Sequence, residues 1–226
     1  MDLLQNEVVM QKFLSPIWLS IKVTAISGVV VILIGTIVGR FLARKTFKGK
    51  ALLETIIMLP MVLPPTVVGF LLIILFGKNS IVGQATEWLF KQPLIFTWWA
   101  AVIASAVVAF PLVYQSAKTG FQGIDLSIEE AARVDGANEW KIFFLISIPL
   151  AFRSLVSGSI LSFARALGEF GATLMFAGNI PGVTQTIPMA IYIALDSGNI
   201  ELAWLWVISI VIISFFMLLM VRIKQE

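Results

Sequence analysis

The chain has 226 residues, of which 59% are hydrophobic and 13% charged, with a mean hydropathy of +0.97 and a formal net charge of +3. That balance excludes a soluble globular domain and points to an all-α, polytopic membrane protein folded as a single domain over residues 1–226. The absence of cysteine and histidine excludes thiol redox chemistry, thiolate or imidazole metal sites and a histidine general base, so no metal or other cofactor is expected.

Five apolar stretches, 17–38, 52–76, 96–114, 154–176 and 202–221, are long enough to cross a hydrocarbon core of about 30 Å as helices. The opening MDLLQNEVVMQKF lacks the basic start of a signal peptide, and the apolar run after it exceeds a signal-peptide core, so the first span is expected to be retained. Within that span GTIVG, at 35–39, offers a small-xxx-small face for close helix approach.

The second span carries Pro60, Pro64 and Pro65 near its middle. Each removes a backbone N–H and clashes with the carbonyl one turn earlier, at a cost of roughly 3 kcal/mol in a helix interior. A kinked or broken helix follows, and its freed carbonyls must face protein or a wet cavity, with Thr66 and Gly69 beside them. The next segment, GKNSIVGQATEWLFKQP, reads as an ordinary exposed connection. Trp98 and Trp99 open the third span, and Trp204 and Trp206 the fifth, where interfacial aromatics belong.

Between the third and fourth spans lies a charged insertion, SIEEAARVDGANEWKIFFLISIPLA. Ser127 and Glu130 fit a capping box that starts a helix. Ile128, Ala131, Ala132 and Val134 form its apolar side, leaving Glu129, Arg133 and Asp135 for solvent or charged partners. Gly136 can end that helix in the left-handed conformation, Asn138 can cap a second, and Pro149 can bend the chain into the fourth span.

The fourth span places Arg165 at its centre, four residues before Glu169, so the two share a helix face and can pair. A mid-membrane arginine costs about 3 kcal/mol even on insertion scales, so this face turns away from lipid. Arginine suits an anion, although Glu169 neutralises part of that attraction. Gly158, Ser162 and Ala166 repeat at four-residue spacing and mark a close helix contact. In the following loop, 188–195 reads as a short helix at the outer surface, capping the bundle or docking an extracytoplasmic partner.

Arg40, Arg44, Lys45, Lys48 and Lys50 follow the first span; Lys118, Arg133, Lys141 and Arg153 flank the charged insertion; Arg222 and Lys224 end the chain. Only Lys12, Lys78 and Lys91 fall on the opposite side. By the positive-inside rule the N-terminus is outside, the C-terminus cytoplasmic, and five spans satisfy the parity. Topology accounts for the basic balance, and no nucleic-acid partner is expected. No phosphate-binding loop, His-Glu-x-x-His motif or facing pair of intramembrane aspartates is present, so the chain is not expected to be an enzyme.

The insertion also contains Glu130-Ala131-Ala132, Gly136 and Ile146-Ser147-Ile148-Pro149, matching Glu-Ala-Ala, three residues, Gly, nine residues and Ile-x-Leu-Pro, with Ile148 in place of leucine. This spacing resembles the cytoplasmic loop of membrane subunits of bacterial binding-protein-dependent ABC importers. LPMVLPPTVVGF and FARALGEFGATLMFAGNIPG resemble the molybdate/tungstate permeases, with sulfate permeases as close relatives.

The resemblance implies a homodimer in the cell membrane, two copies of an ABC ATP-binding subunit and an extracytoplasmic oxyanion-binding protein. It makes 125–150 the coupling loop, with Glu130, Ala131, Ala132 and Gly136 transmitting motion from the ATPase. It places Pro64, Pro65, Thr66, Arg165 and Glu169 near the translocation path. An additional N-terminal helix found in some relatives is not expected here. The implied function is an ATP-driven, alternating-access pathway for a tetrahedral oxyanion, molybdate or tungstate, with ATP hydrolysed on a separate subunit. A sulfate or thiosulfate permease and a non-transport membrane scaffold are the alternatives.

Overall fold

The computed structural model describes residues 2–223, with side-chain surroundings for 10–89 and 91–219. The side chains of Arg222 and Lys224, counted above as C-terminal charges, lie outside them. Every regular element among the described residues is helical: α1 (Asp2–Arg44), α2 (Lys50–Val62), α3 (Pro65–Phe76), α4 (Ile81–Phe90), α5 (Trp98–Gln122), α6 (Leu126–Val134), α7 (Glu139–Ile142), a π-helical turn (Phe143–Ser147), α8 (Ile148–Leu167), α9 (Gly171–Ala177), α10 (Ile187–Asp196) and α11 (Ile200–Ile223).

Four stretches are long and apolar enough to cross a membrane: Met10–Arg44, Trp98–Gln122, Glu139–Leu167 and Ile200–Leu219. Pro65–Phe76 and Ile81–Leu89 qualify only together and bend by 72° at their junction, which brings the number to as many as five. The segment expected to be a plain connection after the second span is therefore largely helical. Ser80 caps α4 by accepting from the Gly83 N–H at 2.8 Å, a local signal that the loop-like composition obscured.

The second span breaks where the prolines demand. α2 carries Pro60 within it, but Leu63 and Pro64 are extended and Pro65 restarts the helix at its first turn, where a missing N–H costs nothing. The fourth span departs from expectation at both ends. Pro149 does not bend the chain, because Glu139–Leu167 runs as one apolar helical stretch. The π turn just before Pro149 widens the helix by one residue, with the Ile148 N–H reaching the Phe143 carbonyl, and relieves the clash proline would make one turn earlier. At the far end helix geometry stops at Leu167 and resumes at Gly171, so 154–176 is not one continuous span.

α5 is the hub. Its buried face is built from small residues, among them Ala100, Ala101, Ala104, Ala109 and Ala117, which let α1, α8 and α9 close on it. GTIVG serves this packing: a Cβ added at Gly39 would lie 2.7 Å from the Ala117 Cβ. On α8, Gly158, Ser162 and Ala166 are all buried, and a Cβ at Gly158 would collide with Ser116.

At the opposite flank α10 and α11 pack on α1 through Ile187, Ala190, Ala194, Ala203 and Trp206. Trp204 is exposed as an interfacial aromatic would be, but Trp206 is buried. Its indole N–H donates to the Phe13 carbonyl at 3.0 Å and its ring stacks on Phe13, so it fastens α11 to α1. The expected helix at 188–195 is α10.

Candidate functional site

Two neighbourhoods carry the predicted site residues. The first is the charged insertion. Asp125, rather than Ser127, caps α6: its carboxylate accepts from the Ser127 N–H at 2.9 Å and lies below the usual carboxylate range because of that bond. Gly136 has φ +85°, a conformation that a side chain disfavours, and Asn138 caps α7 by accepting from the Lys141 N–H at 2.9 Å. Helix, glycine turn and second helix are thus as expected.

The orientation of α6 is the reverse of the one its apolar residues suggest. Glu129 points inward and is 1% exposed, whereas Ile128 is 44% and Val134 89% exposed. The cause lies far away in sequence. Glu129 accepts from Arg40 at 3.0 Å and Arg44 at 3.2 Å, both at the end of α1, and from the Ser147 hydroxyl at 2.9 Å. Arg44 also donates to the Ile124 carbonyl at 3.2 Å.

Burial alone would raise the Glu129 carboxyl, but the Arg40 and Ser147 hydrogen bonds and the two guanidinium charges outweigh it and hold the group below its ordinary range. Arg133 forms a two-point pair with Glu139, at 2.7 and 3.2 Å, fixing α6 to α7 across the glycine turn and raising the guanidinium above its usual value. With Glu129 held inside, α6 turns Glu130, Ala131, Ile128 and Val134 outward, and Arg133 and Asp135 are exposed as well; Ala132 is half-buried and Gly136 exposed. Trp140 and Leu145, each 72% exposed, continue the apolar surface.

The second neighbourhood joins the two helix breaks. Arg165 Nη1 lies 2.6 Å from Glu169 Oε2, so the expected pair forms. Glu169 then does something a continuous helix would not allow: its Oε1 accepts from the Ala172 N–H at 2.8 Å, placing a carboxylate on the first turn of α9. Gly171 sits against Pro65, where a Cβ would lie 2.9 Å from the proline Cβ, and Gly69 lets α3 approach the Ala172 carbonyl. Pro64, Pro65 and Thr66 remain exposed. The restart of α3 and the restart of α9 thereby meet, bringing Pro65 to the segment that holds Arg165 and Glu169.

Glu129, left by the sequence for solvent or charged partners, finds charged ones and is buried by them; its other partner, Ser147, is a functional residue that sequence reasoning missed. The available signal was Arg40 and Arg44, two cations one helical turn apart on one face of α1. A further link, Lys118 to Glu54 at 2.8 Å, ties α5 to α2. No group of three or more metal-ligating residues occurs among the described residues.

Residues 31–225 match the family described as binding-protein-dependent transport system inner membrane component. The chain is 64% identical over 225 residues to the putative molybdenum transport system permease protein YvgM of Bacillus subtilis (strain 168), covering 100% of this chain and 99% of that one. It is 40% identical over 213 residues to the molybdenum transport system permease protein ModB of Escherichia coli (strain K12), covering 92% and 93%. In fold it resembles a chain of a bacterial alginate ABC transporter solved in complex with an alginate pentasaccharide-bound periplasmic protein, with a TM-score of 0.74 and 16% identity over 93% of this chain and 77% of that one.

Proposed function

The chain belongs to the family of binding-protein-dependent transport system inner membrane components, and from that premise we propose that it is the permease subunit of an ABC importer for molybdate or tungstate. Two copies form the pathway, each with five spans, the N-terminus outside and the C-terminus cytoplasmic. Two ATP-binding subunits hydrolyse ATP on the cytoplasmic side, and an extracytoplasmic protein delivers the oxyanion. The names of the relatives at 64% and 40% identity support the cargo, and the charge distribution supports the orientation.

The observation that carries the coupling role is the orientation of α6. An ATPase closing on ATP can move a membrane helix only through a rigid contact. The outward face of α6, with Glu130, Ala131 and Gly136, supplies the surface to grip. The inward face supplies the linkage: Glu129 connects that surface to α1 through Arg40 and Arg44, and to the start of α8 through Ser147. Ala132, between the two faces, keeps the helix close to the body. Motion of α8 reaches Arg165 and Glu169 at the helix break, beside Pro64, Pro65 and Thr66. We assign these residues to the gate of the pathway, since broken backbone within a membrane span is tolerated where it faces protein or a wet cavity.

Uptake of labelled molybdate by proteoliposomes holding the permease with its ATP-binding and extracytoplasmic partners tests this reading. ATP-dependent uptake that survives excess sulfate is expected. Uptake abolished by sulfate would make the chain a sulfate permease, and no substrate-stimulated ATP hydrolysis would reject transport altogether.

A further inference from the structure

Beside the Glu129 cluster lies a cavity of about 550 Å³ lined by Arg40, Phe41, Arg44, Lys45, Leu126, Glu129, Arg133 and Glu139. Four cations face two carboxylates there. Both carboxylates are engaged, Glu129 by Arg40, Arg44 and Ser147, and Glu139 by both donors of Arg133. Positive charge is left over, and Lys45, which is exposed, contributes to it. Arg40 Nη1 and Arg44 Nε are buried without a hydrogen-bond partner among the described residues. Buried guanidinium donors are ordinarily satisfied, so the cluster behind the cavity is short of acceptors and its positive charge is not fully spent within the chain.

Its place in the fold narrows the ligand. The apolar stretch Met10–Arg44, long enough to cross a membrane, ends at this cavity, and the basic residues gathered at that end mark the membrane–water boundary. Phe41 and Leu126, 53% and 51% exposed, form an apolar lip. We propose that the cavity binds the phosphodiester headgroup of an anionic phospholipid, with the guanidinium groups and Lys45 on the phosphate and the lip against the glycerol and upper acyl chain. Basic pockets at the ends of membrane helices recognise anionic headgroups in this way. Lipid in this cavity would brace the contact between α1 and α6 from the membrane side. The proposal requires only that α1 crosses the membrane and is independent of the transported ion.

The test uses the full-length chain, purified in the assembly it forms in the membrane and placed in nanodiscs of phosphatidylcholine alone or mixed with phosphatidylglycerol. Native mass spectrometry counts the lipids that stay bound. The wild type is expected to retain phosphatidylglycerol in preference to phosphatidylcholine. Lys45→Gln is expected to weaken that retention about fivefold, with Lys45→Arg restoring it. Lys45 holds no structural ion pair in this cluster, so assembly should be unaffected by either variant. Equal retention of the two lipids, retention unchanged in Lys45→Gln, or displacement of the bound lipid by inorganic phosphate would each overturn the assignment.

Discussion

Among the described residues two buried glutamates lie against arginines, and the molecule uses them differently. Glu129 draws on Arg40 and Arg44 across 89 and 85 residues of sequence and on Ser147 as well, so one carboxylate ties α6 to α1 and to the turn that leads into α8. Glu169 pairs with Arg165 four residues away and caps the helix that begins just beyond it. One carboxylate connects elements; the other shapes a break within a span. Glu129 therefore gives α6 a direct link to α1 and to the start of α8, besides the Arg133–Glu139 link to α7, whereas the hydrogen bond of Glu169 acts locally, where the chain restarts at α9.

The comparison predicts unequal costs. Glu129→Ala leaves two arginines facing a hole, and breaking a buried ion pair from one side costs several kcal/mol. The lower end applies, about 3 kcal/mol, because Arg40 and Arg44 keep 15% and 19% of their side-chain surface exposed. Thermal unfolding of the purified protein in detergent should show that loss. Glu169→Gln keeps an oxygen for the Ala172 N–H but gives up the charge, and Arg165 is 34% exposed and can turn to water. A loss of about 1 kcal/mol is expected in the same assay. A cost for Glu169→Gln equal to that of Glu129→Ala would erase the distinction.

The smallest effect concerns pH. Because the folded Glu129 carboxyl titrates below its ordinary range, its contribution is complete above the unfolded glutamate value of about 4.3 and disappears as pH falls through the lowered folded value. The stability difference between wild type and Glu129→Gln should stay constant from about pH 5 to 8 and shrink only in more acid solution. A difference that declines between pH 8 and 6 would mean that Glu129 is not held ionised by its arginines.

Local chemistry was legible in the sequence. The proline cluster located the break at Leu63 and Pro64, Gly136 and Asn138 marked the turn and second cap of the insertion, and the four-residue spacing of Arg165 and Glu169 announced their pair. What escaped depends on partners distant in sequence or on competition between signals. Helical periodicity assigns the apolar side of a nine-residue helix to the interior. In α6 two arginines from α1 draw Glu129 in instead, and Ile128 and Val134 are left for contacts outside the chain. Apart from Arg165 and Glu169, apolar and small residues run through 154–176 with no helix breaker as strong as proline, and the local hydrogen bond of Glu169 explains why α9 starts afresh at Gly171. Trp206 met an unforeseen carbonyl on α1 and was buried. The overall membrane character depended on none of these details, since composition alone determines it.

The central claim is that α6 transmits ATPase motion to the membrane helices through Glu129. The most direct measurement is molybdate imported per ATP hydrolysed by reconstituted transporter carrying Glu129→Gln, an isosteric change that keeps one acceptor oxygen, enough for Arg44 and Ser147, and removes both the charge and the acceptor that serves Arg40. The account predicts ATP hydrolysis close to wild type with import per ATP reduced about tenfold, a loss of roughly 1.4 kcal/mol of coupling. Wild-type import per ATP in a correctly assembled Glu129→Gln transporter would contradict it.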